Sequence, residues 1–378
     1  MAQFLGLGNG SDGNLIISAN TAWNSVTGVV ITGCSGDSGE TGLTVDDETG
    51  FSAGQKILII KSRGNTSATC GAWELNQIVS VSTGLLTLLI PLDNTYVDSG
   101  NDQTQVQTLP QFATTTVNTG ITLSASTWSG SIGGIIAFMC NGQTTITGNI
   151  SASGKGFIGG LAGSSSSGAR KGECGEGSVG AKARQNAANG SGGGGGISLA
   201  TTDSRAGGAG GSHSTSGTVG EATGGATAGA QATTITGNTE LTLMTFGGAG
   251  GGASTDSVAL PGNGGNGGGI VIIYSKTLTV TGSISCNGSN GIYSNAAGGG
   301  GGSGGSVLVR SQSAVLGANL ITAVEGTGGT GVDQDGGNGA TGRVRIESCS
   351  ITGTTNPAYP VAGLGGHAWC GSLASIIL

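Results

Sequence analysis

The chain has 378 residues, 82 of them glycine, with 9% charged and 4% aromatic residues, a net charge of −7 and a pI near 4.7. A 35% apolar content with so little charge argues against a disordered chain, and five prolines without a glycine at every third position argue against collagen. The acidic balance argues against nucleic acid as a partner, since phosphate contacts need a basic surface.

The first residues, Met1-Ala2-Gln3-Phe4-Leu5-Gly6, have neither the basic stretch nor the apolar core of a signal peptide. No run of about 18 apolar residues predicts insertion into a membrane. A chain of extracellular character without an export signal fits a virion part released by lysis, a mature chain or a non-standard export route.

Residues 1–31 are expected to form an N-terminal segment with apolar runs at Leu15-Ile16-Ile17 and Val29-Val30-Ile31. Residues 32–112 carry short apolar runs punctuated by turn residues, including Lys56-Ile57-Leu58-Ile59-Ile60 and Ile78-Val79-Ser80-Val81. Leu85-Leu86-Thr87-Leu88 follows the hairpin signal Ser82-Thr83-Gly84. No helical period is present, so an all-β reading follows, with 32–112 as a small antiparallel barrel or sandwich.

Residues 1–150 hold 21 glycines and residues 151–378 hold 61. The glycine-rich part, 113–353, is an internal repeat. Ile270-Val271-Ile272-Ile273 returns as Ser306-Val307-Leu308-Val309 and again as Arg343-Val344-Arg345-Ile346, with an earlier copy at Ile135-Ile136-Ala137-Phe138. Each copy leads to a second strand interrupted by glycine, such as Val280-Thr281-Gly282-Ser283-Ile284. Alternation puts Leu278, Val280, Ile284 and Cys286 on one face, the pattern of a half-buried strand. A repeat of this length predicts stacked units that bury one another's apolar strands.

Between the strands lie glycine-dense spans, among them 192–196, 207–211, 247–252, 262–269 and 298–305. Glycine costs about 0.5–1 kcal/mol relative to alanine in regular elements, so its heavy use predicts close backbone packing rather than loose linkers. A β-solenoid and a polyglycine sandwich both fit. Residues 354–378, with Pro357 and Pro360, leave the repeat and are expected to form a cap or docking tail.

Chemistry is sparse. The seven cysteines are scattered without a CxxC pair, which argues against zinc. Cys34 and Cys70, in the same N-terminal region, are a possible disulfide. Neither His213 nor His367 belongs to a metal-like cluster, and His213 is expected in a solvated Ser/Gly loop. Asp46-Asp47-Glu48 reads as a solvated turn. Asp333-Gln334-Asp335 reads as a turn or a calcium loop without full ligand spacing. No catalytic residue, metal site or cofactor is assigned. The candidates for host contact are the basic residues Arg170, Lys171, Lys182 and Arg184, with His213 and Tyr293, because loops on rigid scaffolds carry recognition.

The segment Trp128-Ser129-Gly130, Gly133-Gly134-Ile135-Ile136-Ala137-Phe138 and Gly148-Asn149-Ile150-Ser151-Ala152 through Gly160 resembles glycine-rich domains of bacteriophage tail and adhesin proteins and of some bacterial surface proteins. Ala53-Gly54-Gln55-Lys56-Ile57 with Trp73-Glu74-Leu75 and Pro91-Leu92 resembles the small β-domain that precedes them. The resemblance implies a virion structural protein, a tail-fibre, tip or surface-fibre adhesin. It would assemble as a homo-oligomer with other virion proteins and bind a host surface glycan or protein. The alternative is an abundant coat, decoration or filament subunit without a receptor. A depolymerase is a third reading. The expected location is a virion or an extracellular surface, and no enzymatic activity is expected.

Overall fold

A computed structural model describes residues 6–163, 170–200, 203–256 and 260–360. The fold is all-β, and among the described residues there is no α-helix. Two short strands, β1 (Asn14–Ile17) and β2 (Thr21–Ala22), open the chain.

Six antiparallel strands follow: β3 (Ile31–Ser35), β4 (Gly42–Val45), β5 (Lys56–Arg63), β6 (Trp73–Ser82), β7 (Leu85–Leu88) and β8 (Gln103–Thr108). They close in the order β3-β4-β7-β6-β5-β8. The run Ile57-Leu58-Ile59-Ile60 in β5 is apolar on both faces because both are covered. Ile57 and Ile59 point into the barrel with Leu43, Leu86 and Val106. Leu58 and Ile60 pack outward against the large sheet.

The chain then runs through β9 (Gln111–Phe112), β10 (Thr114–Val117), β11 (Thr122–Ser124), β12 (Ile135–Ile146) and β13 (Asn149–Ser151). Three two-residue strands, β14 (Arg205–Ala206), β15 (Ala222–Thr223) and β16 (Ser254–Thr255), form a small separate sheet. The last strands are β17 (Ile270–Val280), β18 (Ser283–Ser285), β19 (Ser306–Thr322) and β20 (Arg343–Asn356).

The large sheet is parallel, with first strands in the order β1-β10-β12-β17-β19-β20 and a second track β2-β11-β13-β18-β19. Ile135 pairs with Ile270, Ile270 with Ser306, and Ser306 with Arg343, which is the alignment of the sequence repeat. Residues 1–31, expected as a separate segment, supply β1 and β2 to this sheet. In β12, Ile136, Phe138 and Cys140 face one core, while Ile135, Ala137 and Met139 face the other. Burial on both faces is why parallel strands read as continuous apolar runs. Glycine marks the bend in each level, and Gly317 and Gly353 adopt φ of 70° and 102°, a region that favours glycine.

The glycine spans are ordered. Along 247–253, successive N–H groups turn to three neighbours in rotation. Gly247, Gly250 and Ala253 donate to the carbonyls of Gly268, Gly265 and Gly262; Gly248 and Gly251 to Ser212 and Ala209; Ala249 and Gly252 to Glu176 and Glu173. The same rotation governs 298–305. Gly298, Gly301 and Gly304 donate to Gln334, Gly337 and Ala340, and Gly299, Gly302 and Gly305 to Ile292, Ser289 and Cys286. Gly300 and Ser303 donate to Gly251 and Gly248. A period of three belongs to the polyproline-II type of helix, which makes no internal hydrogen bonds and offers every N–H to its surroundings. A Cβ on Gly250, Gly251 or Gly252 would overlap the carbonyl of Gly300, Gly194 or Leu161 respectively. Each of the three faces of that segment therefore meets a neighbouring backbone, and glycine is required at all three positions.

The barrel is bolted to this bundle. Arg63 on β5 forms a buried ion pair with Glu176, whose Oε2 also accepts from Trp128 Nε1 and from Ile158 N, both at 3.0 Å. Trp73 Nε1 donates to Leu241 O at 2.8 Å.

Candidate functional site

The glycine segments run between two ends. The near end rests on the sheet and barrel, where Phe157 and Phe246 pack against Trp128. The far end consists of loops joined by a few bridges: Gly163 to Ser254, Ile197 to Thr227, Ser294 to Gly331 and Ala297 to Gln334. β14 pairs with β15 and β16 there. These loops carry isolated large apolar side chains in solvent. Leu260 is 77% exposed, Val332 63% and Tyr293 60%, with Leu161, Leu199 and Ile292 also exposed. Each sits where a glycine segment turns, so no neighbouring segment covers it.

The far end is also hollowed. A cleft of about 420 Å³ is lined by Asp203, Arg205, Thr223, Asp333 and Gln334. Arg205 lies between two carboxylates, paired with Asp333 and 3.6 Å from Asp203. Its Nε is buried without a hydrogen-bond partner. Asp203 adopts a φ of 63°, left-handed backbone that a non-glycine residue seldom takes. The loop 331–334 is held by Asp335, whose carboxylate accepts from Gly331 N at 2.9 Å. Asp333 thus pairs with Arg205, and Asp335 with the backbone of its own loop. Among the described residues, no three His, Cys, Asp or Glu side chains gather as metal ligands.

The sequence candidates fall in different places. Lys171 and Arg184 are exposed on the flank of the far end, and Arg170 and Lys182 are half-buried there. Glu173 holds Lys182 at 3.4 Å and Arg184 at 3.9 Å, and Arg184 Nη1 also donates to Lys171 O at 2.8 Å. Two of these four cations are therefore partly neutralised within the chain. Tyr293 stands at the far end, its hydroxyl donating to Asn295 at 3.1 Å.

His213 is a correction. It is fully buried at the near end, where its Nε2 meets the Thr245 hydroxyl at 2.9 Å. Burial first, and the nearby Arg343 second, push its pKa down to about 3, so it is neutral and out of reach of any surface. Its Ser/Gly surroundings look solvated in sequence, but here the bundle encloses them. His367 lies outside the described residues.

The disulfide between Cys34 and Cys70 is also corrected, since both are buried free thiols. Cys34 faces the barrel core, whereas Cys70 lies in the loop between β5 and β6 and donates to Ser62 O at 3.3 Å. Burial raises both, Cys70 to about 12; next to Cys34 the carboxylates of Asp98 and Asp46 add to the effect. Cys349 is disulfide-bonded. Asp46-Asp47-Glu48 forms a turn, with Asp47 Oδ1 accepting from Thr49 N at 2.8 Å and Glu48 Oε2 from Gly84 N at 3.0 Å.

Asp203, Arg205, Thr223 and Gln334, with Leu199, Leu260 and Val332, were not among the sequence candidates. The available signal was a single bulky or charged residue in a short loop between two glycine runs. No protein-family model, curated protein or solved structure matches this chain.

Proposed function

We propose that the chain is a virion fibre or tip protein whose far-end loops touch a host surface. The observation that carries this reading is that Leu199, Leu260, Ile292, Tyr293 and Val332, all exposed, stand on loops at one end of the bundle; Ile16, Val79 and Leu89 are exposed elsewhere. Exposed side chains on the loops of a rigid scaffold suit contact with another surface. The three-residue rotation of hydrogen bonds favours a polyglycine sandwich over a plain β-solenoid for the glycine-rich part. Its dense backbone network suits a stiff mount, and the barrel at the opposite end suits attachment to other virion proteins. Several copies on one particle would convert weak contacts into firm adhesion.

Immunogold labelling of particles from the source material tests this reading. Grains confined to tail or fibre ends are expected. Dense label over a capsid, tube or cell surface overturns it.

That outcome would favour a coat or filament subunit. The observation in its favour is β20, a 14-residue strand that among the described residues pairs with β19 alone. A sheet edge of this length, where uncovered, is a template for strand pairing between copies.

A further inference from the structure

We infer that residues 370–378 lie along the outer edge of β20, held there by a disulfide between Cys349 and Cys370; this is independent of the far-end contact. Cys349 is disulfide-bonded. The chain has seven cysteines, and Cys34, Cys70, Cys140, Cys174 and Cys286 are free. Within one chain that leaves Cys370, which lies outside the described residues, as the partner. The five free thiols are buried, whereas Cys349 is exposed near the middle of β20.

The bond fixes a distance. A disulfide sets its two Cα atoms about 4.4–6.8 Å apart. Neighbouring strands lie about 4.8 Å apart, whereas stacked sheets lie about 10 Å apart. The chain at Cys370 is therefore at the spacing of a neighbouring strand, too close for a layer packed on the face of the sheet. Room for such a neighbour is at the edge. Among the described residues β20 pairs with β19 alone, while β12, β17 and β19 each pair on both sides.

The length of chain fits. Pro357, Ala358 and Pro360 line one cleft with Gly342, Arg343 and Val344, so the described chain ends beside the start of β20. From Val344 to Cys349 the strand covers about 17 Å, at roughly 3.3 Å per residue. Residues 361–369, when extended, reach nearly twice as far. Arriving from the Val344 side, the segment continues past Cys370 in the direction of β20, the parallel sense of the whole large sheet. That carries it along Ser350, Thr352 and Thr354, which are exposed.

The segment also suits an edge. Gly371-Ser372-Leu373-Ala374-Ser375-Ile376-Ile377-Leu378 has no charged side chain and no proline, and apolar segments of high strand propensity pair readily with other strands. A covered edge is no template for pairing between copies, so the strap keeps copies of the chain apart.

Two measurements test this. A non-reducing peptide map of the full chain is expected to show Cys349 linked to Cys370 in the monomer. Hydrogen exchange then compares the full chain with a chain ending at Trp369 and with Cys370→Ser. In both variants the amides between Ser350 and Asn356 that face away from β19 should exchange at least about tenfold faster. β12 and β17 should keep their protection, which would show that the fold persists. Absence of the linked peptide, or β20 exchange unchanged in either variant, overturns the inference. Protection of β20 that survives both variants and rises with protein concentration also overturns it, and assigns the edge to a second copy.

Discussion

At the residue scale, glycine in the bundle is a steric requirement. A Cβ at Gly300 would overlap the carbonyl of Ala209. Neither partner is a flexible side chain, so the segments must separate. Gly300→Ala is expected to lose about 1–3 kcal/mol or more, the range for overpacked interiors, measured by urea unfolding. Gly42→Ala is the control. Its Cβ would meet nothing closer than Leu85 Cδ1 at 3.6 Å, and stability should change by less than about 1 kcal/mol.

The buried titratable groups make a second prediction at this scale. The His213 imidazole titrates near 6.5 when unfolded and near 3 when folded. The unfolded chain therefore binds more protons between those values, and stability is present in full above 6.5 and lost as pH falls toward 3. In the proton NMR spectrum, one of the two histidines should keep its neutral shift from pH 8 down to about pH 4. A His213 resonance moving with a midpoint near 6.5 would show an open, solvated ring. The thiols behave likewise. Cys34, Cys70, Cys140, Cys174 and Cys286 are buried and free. At least these five should resist a thiol reagent in the native protein and react after unfolding.

At the scale of the element, each sheet level was legible because its strands are long, apolar and separated by glycine. Ile273, Val309 and Ile346 occupy one register position on β17, β19 and β20, and the repeat aligns them before any coordinates. Their environments differ in a way the letters do not show. Ile273 lies on an inner strand and is wholly buried, while Ile346 lies on the terminal strand. Ile273→Ala should therefore cost about 2–5 kcal/mol. Ile346→Ala should cost clearly less, because a terminal strand can relax into the cavity more easily than an inner one; equal losses in denaturant unfolding would mean that β20 is covered. The glycine segments were legible only as dense spans. Gly250 donates to Gly265 and Gly251 to Ala209, and no side-chain pattern encodes partners chosen by backbone alone.

At the scale of the whole molecule, the question is whether barrel and bundle act as one body. Arg63, Glu176 and Trp128 come from the barrel, the bundle and the connection between them, and Glu176 satisfies the other two. Glu176→Ala leaves a buried guanidinium unpaired and is expected to cost about 3–5 kcal/mol. Calorimetry should show one transition for the native chain. In the variant that transition should move down or split as the barrel loosens from the bundle. A rigid body of this kind would transmit a contact at the far end to an attachment at the barrel, the mechanical requirement of the proposed function.

The sequence by itself determined that the chain is all-β, that its apolar strands repeat, and in which register they stack. Strand periodicity and side-chain volume are local properties carried by each segment. Only the tertiary structure decided which glycine segments lie together, that His213 is enclosed, that Cys34 and Cys70 stay apart, and that Arg205, Asp333 and Gln334 share a cleft. Those outcomes depend on backbone hydrogen bonds between segments distant in the chain. Glycine, lacking a side chain, leaves no mark in the sequence of which partner it will meet.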